Sequence, residues 1–135
     1  MDSINATTAV IGKEKYKTLI SARQHTLIGD EPEAQGGADA GMTPYELLLA
    51  ALGECTAITL RMYADRKEWD VADIQVKLNL TEMTPTDKTT SISREIKIIG
   101  NISDEQRQRM MQIANACPVH KVLSNPIKIE TTLAI

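Results

Sequence analysis

The stretch Thr43–Asp65, TPYELLLAALGECTAITLRMYAD, constrains the fold of this chain more than any other. It opens as a helix start. Thr43 can accept from an early backbone N–H, Pro44 suits the first helical position, and Glu46 falls where a capping box needs its acid. Leu47, Leu48, Leu49, Ala50, Ala51 and Leu52 then cover every face of the helix. A helix that is apolar all round belongs inside a domain. At about 1.5 Å per residue the run spans roughly 33 Å, the width of a small domain. Glu54, Arg61 and Asp65 interrupt it too often for a membrane span, so no membrane partner is expected. Near its middle sits Cys55, one of two cysteines in the chain.

The flanking sequence supplies strands. Residues 7–12 and 15–22 read as two short strands, and His25 to Ile28 as a third. Gly29 to Met42 carries Gly, Asp, Glu and Pro in a pattern that excludes regular structure. A loop of that length before a helix with a thiol suits a functional segment and equally a mobile connector. Beyond the helix, Asp73 to Leu80 alternate, with Ile74, Val76, Leu78 and Leu80 on one face. Thr84-Pro85-Thr86-Asp87 reads as a hairpin turn, and Ser91 to Ile99 as the returning strand. Arg94 breaks the apolar face of that strand, which requires either a sheet edge or a buried anionic partner.

Ser103 and Gln106 form a second capping box. The helix it starts carries Met110, Ile113, Ala114 and Cys117 on one stripe, with Arg107 and Arg109 flanking it toward solvent. Pro118 ends that helix and can open a short one to Leu123. Ile127 to Ile135 alternates as a closing strand. The order predicts an α+β fold with mostly antiparallel pairing, in one domain of 135 residues. One small sheet cannot wrap a helix that is apolar all round. The remaining wall is expected to be a second copy of the chain, in a homodimer.

Charge narrows the partners. The formal net charge is −3, and no basic stripe is present that would follow a phosphate backbone, so nucleic acid is not an expected partner. The first ten residues lack a basic segment followed by a long apolar run, which points to the cytoplasm. In a reducing compartment two distant cysteines are redox-active or plain core residues rather than a permanent staple. With no Phe and six Met, the core is aliphatic and adaptable, and a small apolar ligand is a second reading of its use.

Burial alone would raise the pKa of Cys55 and make it inert, so a reactive Cys55 needs a group that stabilises its thiolate. Gly53 leaves space beside it. Cys117 stands at a junction before Pro118, where N–H groups of the short helix can lower its pKa. Two such thiols support a sulfenic acid and disulfide cycle, and they equally suit two small core residues. A zinc set of Cys55, Cys117, His25 and His120 matches none of the compact spacings, so no metal or other bound cofactor is expected. His120 is more simply an exposed residue of the short helix and His25 a strand residue.

The segments TPYELLLAALGECTAITLRMYADRKEW (43–69), IANACPVHKVL (113–123) and GDEPEAQGG (29–37) resemble the OsmC/Ohr family, the osmotically inducible and organic hydroperoxide resistance proteins. The resemblance implies an intimate homodimer in which antiparallel sheets wrap two long central helices. It implies a peroxidase for organic hydroperoxides in oxidative-stress defence. Cys55 would be the peroxidatic thiol, Cys117 the resolving thiol, and an external dithiol the reductant. The best-characterised members place a Glu directly after the helix-start Pro and pair it with an Arg near the N-terminus. Here Tyr45 follows Pro44 and the acid comes one residue later as Glu46; Arg23 is the nearest candidate for the cation, with Lys13 and Lys15 in the early strands. One step turns a helical side chain by about 100°, so a slow reaction is expected. The rival expectation is a non-catalytic, stress-related binding protein whose cysteines are structural.

Overall fold

The structure is a computed structural model and describes residues 5–84 and 89–134. They form two compact units, Met1–Leu48 and Leu49–Ile135. The first is a three-stranded antiparallel sheet in the order β1 (Thr8–Ile11), β2 (Thr18–Ala22), β3 (His25–Gly29). Val10 pairs with Leu19, and Leu19 with Ile28, as the short β-branched runs require. The loop after β3 is organised by Asp30, which is only 3% exposed. Its carboxylate accepts backbone N–H groups from Tyr16 at 3.0 Å, Glu31 at 2.7 Å, Ala38 at 3.2 Å and Ala40 at 3.0 Å. The loop folds back so closely that a Cβ on Gly41 would overlap the Ile28 carbonyl oxygen, and one on Gly37 that of Glu31. It contains one short 3-10 turn, Glu33–Gln35, where the sequence pattern excludes regular structure.

The long helix α1 runs from Pro44 to Lys67. Its capping box forms as the sequence predicts: Thr43 Oγ1 accepts from the Glu46 N–H at 3.1 Å, and the Glu46 carboxylate from the Thr43 N–H at 2.9 Å. At its far end Glu68 adopts φ 57°, and the Trp69 N–H bonds back to the Ala64 carbonyl at 2.9 Å.

In the second unit, Leu52, Thr56, Leu60 and Ala64 are buried on one stripe of α1. They are spaced four apart, so they stack on one face. The core cluster joins Leu60, Tyr63 and Ala64 to Val71, Ile98, Met110 and Ala114. By length and composition α1 passes as a membrane span, but its buried stripe makes it the core helix of this unit. The antiparallel hairpin of β4 (Asp70–Thr84) and β5 (Thr89–Asn101) is longer at both ends than its alternation predicts. Ile74 pairs with Ile98, Val76 with Ile96, Leu78 with Arg94 and Leu80 with Ile92. Register shifts between Val71 and Asp73 and between Leu80 and Glu82 bracket this regular stretch. The space beside Gly53 is taken by Leu78, whose Cδ1 would lie 2.8 Å from an added Cβ. The predicted turn at residues 84–87 falls almost wholly outside the described residues.

Ser103 and Gln106 close the second capping box at the start of α2 (Asp104–Ile113). Arg107 and Arg109 do not simply point to solvent. Arg107 donates to the carbonyls of Ile102 and Gly100, and Arg109 to the Tyr63 hydroxyl. A 3-10 turn, Ala114–Ala116, leads to α3 (Pro118–Leu123). The predicted closing strand is corrected. Residues 126–134 form no strand; Ile129 is 82% exposed and Leu133 94%. Alternation marks a strand that could bury one face, but these residues pair with none of the described strands.

Candidate active site: a pair of facing thiols

Both thiols belong to the second unit, and both are free. Cys55 lies on α1 and is partly exposed; Cys117 is fully buried at 0%. The residue before a proline is steered away from helical ψ. Cys117 accordingly has ψ 127°, so the chain changes direction there and α3 starts at Pro118. That turn brings the first backbone N–H groups of α3 back onto the sulfurs. The Val119 N–H donates to Cys55 Sγ at 3.5 Å, and the two thiols lie close enough for each to shift the acidity of the other. The sequence alone left the two cysteines as a pair or as separate core residues; the structure brings them into contact.

Their acidities are pushed apart. For Cys117, burial works to raise the pKa. The Cys55 thiol, the N–H groups of His120 and Val119 and the Thr56 hydroxyl outweigh it, and the net shift is downward. For Cys55, burial and then the neighbouring Cys117 sulfur raise the pKa against the Val119 N–H and the Thr59 hydroxyl. The negative charge of the pair therefore settles on Cys117, the sulfur with more donors.

Arg94 reaches the same place from β5. It sits opposite Leu78 on the helix-facing side of the hairpin, between Ile92 and Ile96. One guanidinium nitrogen donates to Thr56 Oγ1 at 3.0 Å and another to Asn115 Oδ1 at 3.0 Å. β5 is an edge strand of its two-stranded sheet, one of the two alternatives the sequence left open for Arg94. The partners of the guanidinium are a hydroxyl and an amide and not an anion. Thr56 in turn donates to the Leu52 carbonyl at 2.7 Å, and its oxygen lies 4.0 Å from Cys117 Sγ. A cavity of about 490 Å³ opens beside this cluster, lined by Leu52, Ile92, Arg94, Ile96, Asn115 and His120 among others. His120 is therefore a half-buried cavity residue and not simply an exposed one.

The other sequence candidates lie in the first unit. The Glu46 carboxylate is committed to the capping box. Arg23 is an exposed residue with φ 55° in the turn between β2 and β3, and His25 is an exposed residue of β3. Thr56 and Asn115 went unnoticed in the sequence. The available signal was a polar residue, Thr56, on the Leu52–Leu60 stripe, which otherwise reads as core.

A family model described as OsmC-like protein matches residues 36–132, more than half of the chain. The chain belongs to the OsmC-like family. Solved structures share its fold at low identity. An OsmC-like protein from Mycoplasma pneumoniae is 21% identical, with a TM-score of 0.77 over 92% of this chain and 89% of that one. An organic hydroperoxide resistance protein OsmC from Legionella pneumophila is 17% identical, with a TM-score of 0.66 over 90% of this chain and 89% of that one. The organic hydroperoxide resistance protein OhrB of Bacillus subtilis is 19% identical, with a TM-score of 0.61 over 89% of this chain and 90% of that one. No curated protein matches the chain. The α+β architecture with antiparallel sheets, read from the sequence, is thus the fold of this OsmC-like protein.

Proposed function

We propose that this OsmC-like protein is a thiol-dependent peroxidase that reduces organic hydroperoxides, as part of cytoplasmic defence against oxidative stress. The observation that carries the reading is the pair of neighbouring free thiols, one partly exposed and one buried. Attack on an incoming peroxide falls to Cys55, because peroxide must reach the sulfur. Cys117 serves as base and then as resolving nucleophile. As the Cys55 sulfur attacks the terminal oxygen of ROOH, its proton passes to the Cys117 thiolate. The O–O bond breaks, Cys55 keeps the OH as a sulfenic acid, and the leaving alkoxide takes the proton back from Cys117 as ROH. The restored Cys117 thiolate attacks the Cys55 sulfur. Hydroxide leaves, and a disulfide remains. An external dithiol then supplies two electrons and two protons to regenerate both thiols. Leu52, Ile92, Ile96 and Met111 contribute apolar surface to the neighbouring cavity, into which an organic group would extend from Cys55.

The same reading includes a homodimer. Ile58 and Met62 stand exposed on α1, Met62 at 65%, and Ile129 and Leu133 are exposed in the tail. Obligate interfaces of this type commonly bury more than about 2,000 Å². Light scattering should give a dimer at micromolar concentration, and a stable folded monomer would count against it. For the chemistry, one equivalent of an alkyl hydroperoxide should convert the two thiols to an internal disulfide, read by mass as the loss of two hydrogens. If both thiols survive excess hydroperoxide, the cysteines are structural and the protein is a binder of small apolar molecules.

A further inference from the structure

The cluster around Thr56 holds a cation that the paired-thiol reading does not yet use. Arg94 interrupts the apolar face of β5, and it has no ion pair among the described residues. Both of its recorded partners lie next to a cysteine in sequence or one residue removed: Thr56 follows Cys55, and Asn115 precedes Cys117 by two. The Thr56 hydroxyl has one hydrogen to give. It gives it at present to the Leu52 carbonyl at 2.7 Å, while Cys117 Sγ waits at 4.0 Å. A hydroxyl rotor can change partner without moving the backbone.

We infer that Arg94 is a positioning residue that acts through the Thr56 hydroxyl to stabilise the Cys117 thiolate. When Cys117 loses its proton to a base in solution, the Thr56 O–H turns from the Leu52 carbonyl to the sulfur. Arg94 keeps donating to the Thr56 oxygen. A hydroxyl that accepts from a cation is a stronger donor, and in a half-buried site that polarisation is felt more than in water. Asn115 fixes the other arm of the guanidinium, which holds the relay in line. Cys55 from α1 is the titratable group beside Cys117. Arg94 from β5 reaches the sulfur only through Thr56, and the charged or titratable neighbour of Arg94 in the cavity wall is His120 from α3. From α2, Arg109 is turned to Tyr63 and Gln112. Arg94 is therefore the permanent cation of the set. The inference rests on the paired-thiol reading but not on any hydroperoxide.

The test follows thiolate ultraviolet absorbance against pH, together with disulfide formation by diamide, an azo compound reduced to its hydrazine as the pair is oxidised. In R94Q the absorbance midpoint should move upward. Disulfide formation at pH 7 should slow about tenfold and rejoin the wild-type rate at alkaline pH, where thiolate forms unaided. R94K should recover much of the difference, because an ammonium can also donate to Thr56. T56V should match R94Q, and T56S the wild type. Arg94 is half-buried at the cavity wall, so R94Q decides the matter if T56V fails to fold. An unshifted midpoint in folded R94Q would overturn the relay. So would a rate loss equal at every pH, which a merely structural arginine would produce. If diamide forms no disulfide even in wild type, the paired-thiol reading fails, and the absorbance titration still decides the role of Arg94.

Discussion

Asp30 and Cys117 are each met by several hydrogen-bond donors, yet they put them to opposite uses. Asp30 is a strong acid that accepts four backbone N–H groups, and it stays ionised at any ordinary pH. Its donors therefore do one thing, which is to lock the loop between β3 and α1. Cys117 is a weak acid with an ordinary value of 9.0, and a similar set of donors lowers that value against the opposing effect of burial. There the same physics leaves a choice of protonation state open, and an open choice is what a reactive thiol needs. The difference lies in the intrinsic acidity of the group at the centre, not in the donors.

Removing the thiols tests this contrast most severely. C55S should abolish hydroperoxide consumption, a loss of several orders of magnitude measured by peroxide assay. C117S should allow one slow turnover and leave Cys55 as a sulfenic acid open to over-oxidation, seen by mass as added oxygen. If oxygen is gained at Cys117 in the wild type, the roles are reversed.

D30N comes next. It replaces an oxygen that accepts N–H bonds with an amide nitrogen that donates, so donor faces donor. Proteolysis should concentrate in residues 31–41, and the first unit should melt several degrees earlier, while diamide oxidation of the thiols is unchanged. A variant with wild-type loop protection would show that the loop is held by its own backbone turns.

The two acids also predict separate pH windows. Both folded pKa values are lowered, so each contributes stability in its charged form. For Asp30 the contribution is complete above its unfolded value of 3.8 and is lost as pH falls through the lower folded value. For Cys117 it is complete above 9.0 and is lost as pH falls through the folded value below that. Cys55 runs the other way, because burial raises its value above 9.0; its contribution is present below 9.0 and lost as pH rises further. Denaturant melts should thus gain stability toward pH 9 in the wild type and lose that gain in C117S. A flat alkaline limb in both would remove the claim about Cys117.

The smallest effect serves as a control. At the end of α1 a backbone N–H is satisfied by a carbonyl with no acid involved, and the strain sits in the φ of 57° at Glu68. E68G should stabilise the protein by about 0.5–1 kcal/mol and leave both thiol assays untouched. A change in thiol reactivity there would mean that helix-end strain, not local donors, tunes the pair.

Local rules were legible in the sequence where a few neighbouring residues determine the outcome. The capping boxes at Thr43 and Ser103, the break at Pro118 and the face shared by Ile74, Val76 and Leu78 are of this type. The strand predicted after Ile127 did not form because alternation shows only that a segment could bury one face, not that it pairs. These residues pair with none of the described strands. Arg94 was visible as an interruption, but its partner was not, since Thr56 lies 38 positions away and reads as an ordinary residue of a core stripe. The contact of Cys55 with Cys117 was implied only by the family resemblance, because two lone cysteines far apart fix no distance.

Trp69 is the only indole in the chain, and it packs edge-on against Tyr63 with ring centroids 5.5 Å apart. Both rings belong to the unit that carries the thiols. Tryptophan emission is therefore a private reporter of that unit. A melt followed by fluorescence alone is blind to the strands and the Asp30 loop of the other unit, and it will overstate how cooperatively the whole protein unfolds unless circular dichroism is recorded beside it.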